Sequence, residues 1–116
     1  MDLFRCRDKD GIDIVCYRNT WINHIVQQHP EMNGKEILVK AVIENPDEIY
    51  QDSTWPDTRN IYNPAVLPEP FDKYYLKICL EYRVNFGGKK RGYVKTAFAC
   101  LRIKKGDILI WKRESR

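Results

Sequence analysis

The sequence predicts an α+β fold, with two N-terminal helices packed on one face of a twisted antiparallel sheet of four to six strands. Three observations predict it. Two segments between residues 20 and 44 carry apolar residues at helical spacing, and they stop at Pro30 and at Asn45-Pro46. Residues 73–86 alternate, with Tyr74, Leu76, Ile78, Leu80, Tyr82 and Val84 on one face and Tyr75, Lys77, Cys79, Glu81 and Arg83 on the other. Gly87-Gly88-Lys89 then makes a tight turn into a second strand-like run over 91–102, which is a hairpin.

Each element follows in order. Runs 3–7 and 12–18 read as strands, joined by Asp8-Lys9-Asp10-Gly11, where Asp-Gly supplies the positive φ of a hairpin turn. Asn19 or Thr20 caps the first helix, whose apolar stripe is Trp21, Ile22, Ile25 and Val26. His24 lies on the flank of that stripe. His29 falls in the turn that ends the helix, because Pro30 disfavours helical geometry in the residue before it. The second helix spans 35–44 and buries Ile37, Leu38, Ala41 and Val42. A short strand over 47–51, a loop over 52–57 holding Trp55, and a strand over 58–63 come next. Three prolines make 64–72 a loop. The hairpin register that sets Leu80 opposite Thr96 also pairs Glu81 with Lys95, so it is preferred. It turns Thr96 toward the helices and Lys95 to the outer face, and a groove on that outer face that uses Thr96 requires either Thr96 near a strand end or the other register. Residues 108–112 add an edge strand or short turn.

The chain of 116 residues is read as a single domain, 1–116, large enough to bury a core. With 43% hydrophobic and 31% charged residues it is neither disordered nor membrane-spanning. The first residues lack a signal-peptide profile, so a cytoplasmic location is expected. Cys6, Cys16, Cys79 and Cys100 share no CxxC spacing and read as reduced, buried strand residues. The two histidines have no clear third ligand beside them, so neither a metal nor a cofactor is expected.

Charge is asymmetric. Residues 1–72 carry 7 Lys/Arg against 13 Asp/Glu, or −6, whereas residues 73–116 carry 13 against 3, or +10. A basic half on a small domain is the footprint of a protein that meets phosphates. RNA cleavage without metal needs an acid, a base and cations at the scissile phosphate. Candidates for each are present: His24 and His29, Arg59, Lys77, Glu81, Arg83 and Lys95, with Tyr62 and Thr96 as hydroxyl donors and Trp55 as a base-stacking platform.

A pattern runs from Trp21…His24-Ile25…His29-Pro30-Glu31 through a helix ending in Asn45-Pro46-Asp47-Glu48-Ile49 to Arg59…Tyr62. It continues with Val94-Lys95-Thr96-Ala97-Phe98 and Lys104-Lys105-Gly106…Trp111. In this order the elements resemble the small phage-type nuclease domains of the barnase–EndoU–colicin–RelE superfold. The resemblance implies two helices on a four- or five-stranded sheet and metal-independent RNA cleavage by 2′-hydroxyl attack. It implies functional roles for His24 or His29, for Arg59 with Tyr62, and for Thr96; the basic strands and the loop tryptophan, read on their own, add Lys77, Arg83, Lys95 and Trp55 as expected RNA-binding residues. The expected protein is a metal-independent endoribonuclease, as a toxin or phage-derived effector, with RNA and a protein inhibitor as partners and no membrane association. The alternative is a non-catalytic RNA- or protein-binding module with a basic sheet face.

Overall fold

The computed structural model describes residues 1–114. The α+β class holds, but the sheet is larger than expected and mixed. Seven strands, β1 (Asp2–Arg7), β2 (Asp13–Tyr17), β3 (Glu48–Gln51), β4 (Thr58–Pro64), β5 (Tyr75–Val84), β6 (Lys90–Cys100) and β7 (Ile108–Lys112), are arranged in the order β1-β2-β6-β5-β4-β3-β7. All neighbours are antiparallel except β2 and β6, which run parallel over Asp13–Val15 and Arg91–Tyr93. The helical segment between β2 and β3 carries the chain along the sheet, and β4 and β5 then build back toward β2. That crossover makes the β2–β6 pair parallel.

The turn between β1 and β2 forms as its residues dictate. Gly11 has φ +81°, and the Asp8 carboxylate accepts the amides of Asp10 and Ile12 at 2.9 Å each. The first helical stretch (α1, residues 18–28) starts two or three residues earlier than an Asn19 or Thr20 cap would place it. Tyr17 occupies the cap position and gives no side-chain hydrogen bond. Trp21–Val26 is wound as a π-helix, which widens the turn. Trp21 and Ile25 are buried as expected, but Ile22 is left exposed. The stretch ends with the His29 amide donating to the Ile25 carbonyl at 2.8 Å. Pro30–Met32 follows as a 3-10 turn, so His29 lies outside the helix as Pro30 requires.

The second helix (α2, Glu36–Glu44) lies where expected but is rotated. Val39, Val42 and Ile43 are buried, whereas Ile37 is 84% exposed and Ala41 faces solvent. The two stripes differ by about one residue, a turn of about 100° around a helix, and the face that meets the sheet decides between them. Trp21, Ile25, Met32, Val39, Val42 and Ile43 pack on Ile14, Cys16, Ile61, Leu76, Ile78, Leu80, Val94 and Ala97. Gly92 on β6 lets the core close there, since a Cβ would lie 2.4 Å from the Ile14 side chain.

The β5–β6 register departs from the one expected. Glu81 faces Tyr93, Tyr82 faces Gly92 and Leu80 faces Val94, while Cys79 faces Thr96 and Lys77 faces Phe98. Lys95 is an extra residue in β6, a bulge opposite the Cys79/Leu80 step. The bulge flips the alternation of β6. Above it Val94 enters the core; below it Ala97 and Ala99 do, and Thr96, Phe98 and Cys100 turn to the outer face with Lys77. The expected pairs of Leu80 with Thr96 and Glu81 with Lys95 therefore do not form, and Glu81 pairs with Arg83 instead.

Candidate functional site

The face of β4–β6 away from the helices gathers most of the candidate residues. Tyr62, Lys77 and Phe98 share it because they occupy paired positions on three adjacent strands. The Lys77 ammonium lies 5.4 Å from the ring centres of both Tyr62 and Phe98, and Lys77 is only 8% exposed. Among the described residues it makes no hydrogen bond or ion pair; the ring faces are its only counterweight. Thr96 sits one rung away, opposite Cys79, and its hydroxyl is buried without a partner. Lys77, Thr96, Lys95 and Lys104 line one concavity of about 180 Å³, with Trp55 at its rim and the Lys95 ammonium 5.1 Å from the Trp55 ring centre. The bulge brings Lys95 and Thr96 to the same side, which strict alternation forbids.

His29 reaches the same region from the end of α1. Its ring stacks on Phe98 with centroids 4.7 Å apart and planes at 23°. The lower half of β6 has no β2 partner, because their pairing ends at Tyr93. Glu31 covers that edge, with its carboxylate accepting the Ala99 amide at 3.1 Å, and so fixes the turn that carries His29. His24 is exposed on α1 and has no part in this contact. Arg59 is on the opposite face of the sheet, its guanidinium 5.4 Å from the ring centre of Tyr82 beneath the β1–β2 turn. Alternation along β4 separates Arg59 from Tyr62. Of the expected catalytic set, His29, Tyr62 and Thr96 share one face; His24 and Arg59 lie elsewhere. Of the expected binding set, Lys77, Lys95 and Trp55 line or rim the concavity, and Arg83 lies further up the same face.

Two acidic residues that sequence reasoning passed over organise the site. Asp52 accepts the Asn60 side chain at 2.8 Å, the Thr54 and Trp55 amides at 2.9 and 2.8 Å, and the Lys104 ammonium at 3.3 Å. Burial opposes its charge, but these donors outweigh burial and hold the carboxyl well below its ordinary range. Asp107 accepts Asn60 at 2.8 Å, the Tyr62 hydroxyl at 2.9 Å and the Ser53 amide at 3.0 Å. The Tyr62 oxygen in turn accepts the Lys104 amide at 3.1 Å. Loop 101–107 is thereby latched over β4 with Lys104 at the concavity. Burial first, then the bond to Asp107, pushes the Tyr62 phenol up, so Tyr62 keeps its proton at neutral pH and commits it to Asp107 as the anchor of the loop. Asn60 keeps a buried side-chain oxygen without a partner beside this network. A sequence signal for the latch existed in Asn60, Tyr62 and Asp107, polar groups in or beside strands, but nothing in their spacing joins them.

Burial raises the Cys79 thiol to about 11, so it is neutral at pH 7 and offers no nucleophile. The described residues contain no group of three or more His, Cys, Asp or Glu placed to hold a metal ion, and no helix among them is long and apolar enough to cross a membrane. No protein-family model, curated protein or solved structure matches the chain.

Proposed function

We propose that the protein is a metal-independent endoribonuclease that binds the scissile phosphate in the Lys77–Thr96 concavity. The observation that carries this reading is the Thr96 hydroxyl, buried without a partner among the described residues, beside the Lys77 ammonium, which opens on the same concavity and has no carboxylate partner there. A buried hydroxyl without a partner is costly, and a phosphate oxygen would satisfy it while neutralising the lysine. The anion class follows from Lys77 and Lys95, since the one carboxylate that lines the concavity, Asp52, is already paired with Lys104, and RNA follows from the exposed Trp55 and the basic strands that flank it.

In this reading Lys77 and Lys95 neutralise the non-bridging oxygens and the Thr96 hydroxyl donates to one of them. The substrate's 2′-hydroxyl attacks phosphorus, the bond to the 5′ oxygen breaks, and a 2′,3′-cyclic phosphate forms. His29 takes the 2′ proton, and the leaving oxygen gains one from water. His24 and Arg59 have no role. The sequence resemblance to the barnase–EndoU–colicin–RelE domains implies the same chemistry with His24 or His29, and the stack of His29 on Phe98 favours His29.

A second reading, RNA binding without cleavage, is favoured by the single imidazole on this face. One assay separates the two: cleavage of varied single-stranded RNAs in EDTA, with binding followed in parallel. The enzyme reading expects cleavage to persist in EDTA and to fall about 10²–10⁴-fold in His29→Ala, with His24→Ala near wild type. Binding without cleavage by the wild type selects the second reading, and activity abolished by EDTA overturns the metal-free mechanism.

A further inference from the structure

A second concavity, about 460 Å³, lies away from Lys77 at the far end of the same face, in the mouth of the β5–β6 hairpin. Arg83, Lys89, Arg91, Tyr93 and Phe86 line it. We propose that it is a second nucleotide subsite, which holds a flanking base and phosphate of the same single-stranded RNA that enters the Lys77 concavity. This rests on the RNA reading above.

Three observations carry it. Phe86 is fully exposed at the hairpin tip, and the tip is built to keep it there: the Asn85 side chain accepts the amides of Gly87 and Lys89 at 3.0 Å each. A hydrogen-bonded turn that presents an aromatic ring to water offers a stacking surface for a base. Tyr93 is a second ring, with the Arg83 guanidinium 5.0 Å from its centre and Tyr17 at 5.9 Å. Arg91 forms no ion pair among the described residues, whereas Arg83 and Lys89 are held by Glu81 and Asp13. One unpaired cation beside aromatic rings suits one phosphate beside one base. The two concavities also share a strand. Arg83, Arg91 and Tyr93 lie above the Lys95 bulge and Thr96 below it, on one face, about 15 Å apart along β6, a stretch that a few nucleotides cover.

The test uses 2′-O-methyl oligouridines, which 2′-hydroxyl attack cannot cleave, as di- and hexanucleotides, with binding read by fluorescence anisotropy. Wild type is expected to bind the hexanucleotide far more tightly than the dinucleotide. In Phe86→Ala and Arg91→Ala the ratio of the two affinities falls about tenfold, and Phe86→Tyr, which keeps a ring, restores it. Both variants change exposed or half-buried groups, and circular dichroism checks their fold. An unchanged ratio in both variants, with hexanucleotide binding intact, overturns the subsite and leaves the RNA reading standing. Failure of wild type to bind either oligonucleotide overturns both.

Discussion

Thr96 separates function from stability more cleanly than any other side chain of the site. A buried hydroxyl without a partner costs about 1–3 kcal/mol, and Val has nearly the same shape. Thr96→Val is therefore expected to stabilise the protein by about 1 kcal/mol in urea denaturation while weakening RNA cleavage about tenfold or more. A destabilised Thr96→Val would mean that the hydroxyl has a structural partner, and the phosphate argument would lose half its support. Lys77 behaves alike. Lys77→Met keeps the aliphatic packing beneath Tyr62 and Phe98 and removes the unpaired charge, so the fold holds and RNA binding drops. Both residues were visible in the sequence as members of a β-hairpin. What the sequence did not show was their poverty of partners, because an unsatisfied group is a property of its surroundings and not of its spacing.

The Lys95 bulge and loop 101–107 decide which side chains meet. The succession of strands and helices along the chain, the two hairpin turns and the end of α2 could be read from periodicity, Asp-Gly and Gly-Gly turns and helix-stopping prolines. The bulge could not, since a continuous alternation across Tyr93 to Phe98 is an equally good pattern on paper. Only Ala97 and Ala99, small residues suited to lie under closely packed helices, hinted at the flip. The parallel β2–β6 pair escaped for a similar reason, because it depends on where the chain goes between the two strands. The latch on loop 101–107 gives a direct prediction. Asp107→Ala strips the Tyr62 hydroxyl and the Ser53 amide of their acceptor and lets Lys104 leave the concavity. The expected cost is about 2–3 kcal/mol in denaturant unfolding, together with weaker RNA binding. Asp107→Asn, which keeps an acceptor oxygen, should recover part of the stability. Equal losses in the two variants would argue that the charge, rather than the hydrogen bonds, holds the loop.

Charge organises the molecule at both ends of the pH range and in its response to salt. The folded Asp52 carboxyl is held below its unfolded value, so its contribution is complete above about pH 4 and is lost as pH falls below that. Burial raises Cys6 and Cys79 to about 11 and Cys16 to about 12 from an ordinary 9.0. The unfolded thiols ionise first, so stability is full below about pH 9 and declines as pH rises toward 11–12. Thermal melts across this range should show a plateau with losses on both sides, and a flat alkaline limb would contradict the buried thiols.

The basic half acts on salt dependence. On the outer face Lys77, Lys95 and Arg91 have no carboxylate partner among the described residues, whereas Lys104 and Arg83 are held by Asp52 and Glu81. Each unpaired cation that meets a phosphate of a single strand releases about 0.7 counterion. Three of them give a slope of about −2 in log affinity against log salt, well short of what thirteen basic residues in the C-terminal half would give if all made contact. Lys77→Ala, Lys95→Ala and Arg91→Ala should each flatten the slope by about 0.7. Lys40→Ala, on the helical side, should leave it unchanged. Titrations at several salt concentrations measure this directly. A steeper wild-type slope that Lys40→Ala also flattens would mean that RNA is held by the diffuse positive field rather than by the outer sheet face, and the assignment of that face would fall with it.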